Sequence, residues 1–474
     1  MEDHRTGGRD LPLQAAILTV EGFRASRLDN ERRLFVYLPP GYEGETSRHY
    51  PVLYMHAGQR AFDPAAPGTE SWRIHRAADR LIGEGLMEGI IIVAIAHVRP
   101  AEANEYYHFK APAEEADVVR CAGLDYEDFV VNEVKPYIDA RFRTLPDPAN
   151  TGLLGSSAGG LCTYHMGFRH PDVFGKLMML SPYFVKAQLD DSTPSGLREE
   201  RLYRPCRGRP PVKVWMDIGD AEGLFLPRHV RDVAVELLGE GFRYGEDLAY
   251  LEQADAAHQE TDWGDRVHIP LLFMFGRMGT PASLELRGRT EIGLTGGHRA
   301  QVNAVLGYDS GFVMSVLNGE YRVGDPSVLK ALPDGTLIPL SPGTTTLTLT
   351  SGGLVATGVY TVVPALSDRV VVEMTADVPP EAAPPAAIYG GMGMRLAHAG
   401  GNRYAGRFRV PRDTGFRFRF TKGFRKFETD AAGGVMPNRT FRASEDISLH
   451  CEVARWEETP YRAAEGRDHD DSTI

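Results

Sequence analysis

Apolar residues fall in short unbroken runs early in the chain and in alternating positions late in it, and the two patterns predict different architectures. "YPVLYMHAG", "GIIIVAIAHV", "TGLLG", "KLMMLSPYF" and "PVKVWMDIGD" have no polar face, as a parallel strand covered on both sides requires. Between them, "SWRIHRAADRLIGEGLM", "YEDFVVNEVKPYIDARF", "AGGLCTYHMGFRHP" and "PRHVRDVAVELLGEGF" carry helical spacing. "DLAYLEQ" and a last helix around "WGDRVHIPLLFMFG" complete the series. The rhythm predicts a doubly wound α/β sheet over residues 1–278. From Gly279 the period becomes two, with Gly and Pro punctuation, which predicts all-β sandwiches over 279–365 and 366–458. Residues 459–474 are charged and poor in apolar residues, so they read as a disordered tail.

Composition narrows the class without naming an activity. The 474 residues are 42% hydrophobic and 24% charged, ordinary for a globular chain of several domains. A net charge of −12 argues against nucleic acid and anionic lipid as partners. No apolar run reaches the ~18 residues of a membrane span. The start has acidic residues ahead of its apolar part, so no secretion signal is read. Cys121, Cys162, Cys206 and Cys451 lack metal or disulfide spacing and read as reduced thiols. The expectation is a cytoplasmic protein without metal or cofactor.

"GSSAGG" alters this picture. Gly155-Ser156-Ser157-Ala158-Gly159 fits G-x-S-x-G, with an apolar strand entering and a helix leaving. A serine on so sharp a turn stands clear of the sheet edge. Glycines at 155 and 159 are expected because side chains there would collide, and Gly160 because the helix packs tightly. Ser157 is then the nucleophile, and it needs a base held by a carboxylate, in the chain order serine, acid, histidine. His258, after "DLAYLEQ" and before the last helix, stands where the base should be. Three acids compete after "VKVWMDIG". Glu222 is favoured for its reach, while Asp220 reads as a turn cap and Asp217 as a strand residue. Oxyanion donors are expected from the backbone of Ala158 and of Gly58 or Gln59. Arg60 reads either as a reader of a substrate carboxylate or as a solvated arginine. Tyr106, Tyr107, Tyr183, Phe184 and Phe225 are candidates for an aromatic pocket, with core packing as the competing reading of each.

With these residues placed, the first segment resembles the esterase D family of α/β-hydrolases, which includes feruloyl, acetylxylan and siderophore esterases. "RRLFVYLPPGY", "YPVLYMHAGQRAF", "LLGSSAGGL", "HPDVFGKLMMLSPYF", "DIGDAEG" and "AAHQETDW" carry the resemblance. It implies an α/β-hydrolase sheet with Ser157 as nucleophile, Glu222 as acid and His258 as base. Ala57 and Arg60 stand where family members often have Asp and Asn. The second segment resembles a bacterial immunoglobulin-like module, and the third a starch- or glycogen-binding sandwich. "FRFRFTKGFRKF" reads as an antiparallel strand with Phe inside and Arg outside. The expected function is hydrolysis of a small, aromatic or natural-product ester through an acyl-enzyme. Transfer of the acyl group to an amine or alcohol, or macrocyclisation, is the alternative. Glycan or protein contact through the β-segments and homodimerisation are left open.

Overall fold

The computed structural model describes residues 15–63, 70–98, 105–110, 121–193, 195–296, 300–380, 387–391, 393–422 and 426–457. The 459–474 segment lies outside them.

The chain begins with antiparallel strands β1 (Ala16–Ala25) and β2 (Asn30–Leu38). Strands β3 (Val52–Met55), β4 (Ile91–Ile95), β5 (Thr151–Ser156) and β6 (Lys176–Leu180) follow. A hairpin, β7 (Val185–Leu189) and β8 (Leu197–Arg201), leaves the sheet, to which β9 (Lys213–Gly219) and β10 (Leu248–Gln253) return. The strand order is β1-β2-β4-β3-β5-β6-β9-β10. From β4 to β10 every pairing is parallel, whereas β1 and β2 join antiparallel. The sheet is thus doubly wound with an antiparallel edge. All five residues of β4 are buried, because helices cover both faces of the sheet.

Proline explains two departures from the expected helices. The helix in "YEDFVVNEVKPYIDARF" consists of α-helical Gly123–Phe129 and Lys135–Arg141 joined by a π-turn at Val130–Val134. Pro136 has no N–H for the Asn132 carbonyl, and the chain widens just before it. The expected last helix is two, Glu260–Arg266 and His268–Phe275. A continuous helix would need an N–H from Pro270 to the Arg266 carbonyl.

Beyond Gly279 the chain is all β. Glu291–Thr295, Leu354–Ala365, Gly343–Ser351 and Glu320–Val323 form a four-stranded sheet, flanked by two of three strands. An eight-stranded sheet is built around Arg369–Asp377 and Arg403–Pro411, with Gly415–Phe418 pairing antiparallel to Arg439–Arg442 beside it. The first all-β unit shares its core with the α/β sheet. Phe312 stacks on Phe273 (centroids 5.9 Å apart, planes at 14°) and meets Trp215 edge-on at 5.9 Å. No helix among the described residues is long and apolar enough to cross a membrane.

Candidate active site

Backbone strain gathers where the parallel strands end. Ala57, Ser157, Ser181 and Asp255 all have positive φ (53°, 52°, 44° and 56°), and each lies within two residues of the carboxyl end of β3, β5, β6 or β10. Non-glycine residues rarely adopt such angles, and they concentrate where geometry serves function.

Ser157 opens the helix Ser157–Arg169 immediately after β5. The reason for glycine differs among the three positions. A Cβ on Gly155 would stand 2.3 Å from the Gly159 carbonyl oxygen, so no side chain fits. A Cβ on Gly160 would press to 3.0 Å from Pro182. At Gly159 the nearest atom would be His56 Cβ at an ordinary 3.4 Å. The expectation that Gly159 is sterically required is therefore corrected: its carbonyl, not the space for its side chain, crowds Gly155. The Ser157 hydroxyl makes no hydrogen bond among the described residues.

Two turns from adjacent strand ends bring an acid and a histidine together. Glu222 Oε2 accepts a hydrogen bond from His258 Nδ1 at 2.7 Å, and both side chains are buried or nearly so. Glu222 Oε1 accepts from the Gly219 N–H (2.7 Å) and the Ser181 hydroxyl (2.6 Å). That hydroxyl in turn accepts from Trp263 Nε1 (2.9 Å) and Arg266 Nη2 (2.8 Å). With one donor and two acceptor sites, the Ser181 hydroxyl is fully used. The carboxylate thus has little rotational freedom left, and it leaves Nε2 as the free face of the His258 ring. Phe225 lies against that ring (centroids 4.5 Å) and Trp263 meets its edge at 5.0 Å.

The other two acids have different partners. Asp217 is fully buried and accepts from Arg266 Nε (2.9 Å) and Trp215 Nε1 (2.7 Å); burial raises its pKa against the pull of Arg266. Asp220 accepts from the Asp255 N–H (2.7 Å) and Arg442 (2.8 Å). Only Glu222 among the three is hydrogen-bonded to His258.

On the oxyanion side, Ala158 is the second residue of its helix, where geometry leaves the N–H without an intrahelical acceptor. Gly58 and Gln59 open a single 3₁₀ turn after Ala57. The Gln59 side chain turns away to His97, on Nδ1 at 2.8 Å. The Ala57 N–H is already donated to the Tyr106 hydroxyl (3.0 Å). His56, also in this loop, is buried with Nδ1 against the Tyr126 hydroxyl (3.0 Å), and its pKa is lowered to about 3 by desolvation and by His108.

The family model Esterase, described as "Putative esterase", matches residues 25–266. The chain belongs to this esterase family. Among curated relatives, the uncharacterized protein YjcH of Bacillus subtilis (strain 168) is 25% identical over 168 residues, covering 35% of this chain and 62% of that protein. The endo-1,4-beta-xylanase/feruloyl esterase of Xylanibacter ruminicola is 29% identical over 154 residues, 31% of this chain and 19% of that protein. The chain therefore spans under two thirds of both relatives. Among solved structures, a ferulic acid esterase aligns with a TM-score of 0.42 at 22% identity over 56% of this chain and 98% of that one. The enterobactin esterase of Shigella flexneri aligns with a TM-score of 0.40 at 15% identity, covering 56% and 59%.

Within the esterase segment, three expected pocket residues prove to be core. Phe184 is wholly buried against Tyr164 and Tyr203, Tyr106 is spent on the Ala57 N–H, and Tyr107 is buried. They were expected near loops, but Tyr106 packs against His56 and Tyr126, and Phe184 against Tyr164 and Tyr203. Tyr183 and Phe225 remain half-buried and stacked on one another at 4.8 Å, beside His258. Arg60 is neither solvated nor free for a ligand: it is buried and faces Glu260 at 3.4 Å.

The sequence reading missed the site's outer wall. The Gly415–Phe418 strand pairs with the acid loop itself. Gly223 N–H donates to the Gly415 carbonyl (2.9 Å), and Arg417 N–H to the Ala221 carbonyl (2.9 Å). Arg417 reaches Asp262 (2.6 Å), and Arg419 reaches Glu70 (2.9 Å). Phe416, Phe418 and Phe420 do point inward, and Arg417 keeps part of its side chain exposed, but Arg419 is buried rather than outside as expected, held against Glu70 of the esterase segment. The one available signal was the row of arginines in an acidic chain. Among the described residues, no group of three His, Cys, Asp or Glu could hold a metal.

Proposed function

We propose that the chain is a serine carboxylic-ester hydrolase that works through an acyl-enzyme, with Ser157 as nucleophile, His258 as base and Glu222 as the acid that orients it. The observation that carries this reading is the 2.7 Å contact of Glu222 with His258 Nδ1, made at the same carboxyl edge of the sheet that presents a serine on a strained strand-to-helix turn. Substrate is expected to close the gap between the Ser157 hydroxyl and His258, since catalytic hydrogen bonds are often loose before substrate binds.

His258 Nε2 takes the Ser157 proton as Oγ attacks the ester carbonyl. The tetrahedral oxyanion is received by the Ala158 N–H and an N–H of Gly58 or Gln59. The imidazolium, stabilised by Glu222, then protonates the departing alcohol. Water, deprotonated by the same nitrogen, releases the acid. Phe225 and Tyr183 keep bulk water from the ring and give an apolar surface for a small or aromatic ester.

A fluorophosphonate that labels the folded protein and fails to label Ser157→Ala is the expected result. Labelling that persists in Ser157→Ala would remove Ser157 from its role. Products weighed after adding an amine or a second alcohol would show whether the acyl group goes to an acceptor other than water.

A further inference from the structure

The acid and the base sit on different loops, so their 2.7 Å contact depends on how those loops are held against each other. Glu222 follows β9 and His258 follows β10, and loops at strand ends are ordinarily more mobile than the strands. The esterase segment ties the two together near the sheet. There the Asp220 N–H donates to the Gln253 carbonyl (2.9 Å) and the Ala221 N–H to the Ala256 carbonyl (3.1 Å). Further out, the third segment makes the connection.

Arg417 touches both loops. Its backbone N–H donates to the carbonyl of Ala221, the residue before Glu222 (2.9 Å). Its Nη1 donates to the Asp255 carbonyl (3.1 Å) and to Asp262 Oδ1 (2.6 Å), on either side of His258 in sequence. Asp262 is buried, and its carboxylate also accepts from the side chain of Gln259, the residue after His258. Burial raises the pKa of this carboxyl, opposed by the charge of Arg417 and by the Ala257 N–H. Arg417 thus favours the ionised carboxylate to which the neighbours of His258 are tied. The fit on the acid side is close: a Cβ on Gly415, earlier on the same strand, would stand 2.5 Å from the Asp220 carbonyl oxygen. With Gly223 N–H donating to the Gly415 carbonyl (2.9 Å), backbone of the third segment holds Glu222 from both sides.

We infer that Arg417 is a positioning residue for ester hydrolysis: its backbone fixes the loop that carries Glu222, and its guanidinium fixes the loop that carries His258. The inference rests on the acyl-enzyme reading above. The third segment then sets the geometry of a site to which it contributes no reacting group. Adhesion between units is a poorer account of the same contacts, because an ion pair with a partly exposed arginine adds little to stability. Acylation and deacylation both use His258, so a displaced ring slows both. When the two steps slow by one factor, kcat falls and KM stays where it was.

The test uses the full-length protein and phenyl acetate. Active sites are counted by fluorophosphonate labelling run to completion, so that misfolded molecules drop out of kcat. Arg417→Met keeps the stem and removes the donor. Its kcat per labelled site is expected to fall between about ten- and a hundredfold with KM unchanged. Both side-chain bonds come from one nitrogen, so Arg417→Lys, whose ammonium has three donors, should restore most of kcat. Asp262→Asn removes the charge of the other partner and should also lower kcat per site, which keeps the test decisive should Arg417→Met fold poorly. Parent-like kcat in Arg417→Met or Asp262→Asn, or a loss that lysine does not restore, would overturn the inference. With Ser157 labelled in the parent, such a result sinks the positioning role alone. A parent protein that takes no label sinks the esterase reading beneath it.

Discussion

At the residue scale, three carboxylates within six positions of one another do three different jobs because of what each can reach. Glu222 leaves the strand by one turn and meets His258; Asp217, inside β9, is held to Arg266 and Trp215; Asp220 ties down the Asp255 N–H and Arg442. Removing the charge of an orienting acid in a serine triad costs ~10⁴ in kcat. Glu222→Gln is therefore expected to lower ester hydrolysis by about that factor, measured by steady-state kinetics. Asp220→Asn should lose far less, since Asp220 makes no hydrogen bond to His258 and its amide form can still accept from the Asp255 N–H. Equal losses in the two variants would contradict the assignment. These acids were visible in the sequence as competitors, and reach favoured Glu222, but spacing alone could not show which carboxylate meets His258.

At the scale of the elements, the elbow depends on one glycine more than its neighbours. Gly155→Ala places a methyl 2.3 Å from the Gly159 carbonyl oxygen and 2.9 Å from the buried His56 ring. Overpacking of this kind is expected to cost about 3 kcal/mol or to prevent folding, read as a fall in denaturation midpoint. Gly159→Ala should cost far less, because its Cβ meets only ordinary contacts. The end of β10 makes a pH-dependent contribution. Burial pushes the Glu252 carboxyl up from 4.5 to about 7, opposed by Arg231. The folded state thus holds this proton more tightly than the unfolded chain does. Its contribution is full below about pH 4.5 and is lost as pH rises towards about 7. Glu252→Gln should flatten the melting temperature over that window, measured by calorimetry.

At the scale of the whole molecule, the α/β segment and the first all-β unit are one core. Phe312 belongs to the β-unit, yet its ring lies on Phe273 and Trp215 of the other. Asn303 and Ser315 of the β-unit also hydrogen-bond the backbone of Glu252 in β10. Phe312→Ala is expected to cost about 3–5 kcal/mol and to lower the unfolding midpoint followed by the fluorescence of Trp215. If the two segments unfolded independently, the transition of the α/β segment would not move. Domain division read from a change of periodicity reports where strand patterns alter, not where apolar contacts stop.

Local patterns determined a good deal. The unbroken run of β4, the alternation after Gly279, and the glycine-serine turn before a helix all follow from period and steric room, which neighbouring residues set. That is why the sheet type, the two β-regions and the family were legible, as were Ser157, His258 and Glu222 as candidates. Tertiary structure alone decided which acid faces His258, that Phe184 and Tyr106 are core, and that Arg60 is paired. It also laid a strand nearly two hundred residues downstream of Glu222 along the acid loop. The pairing of Phe416 with Glu222 uses backbone hydrogen bonds, which any residue can make, so no spacing or composition could have foretold it.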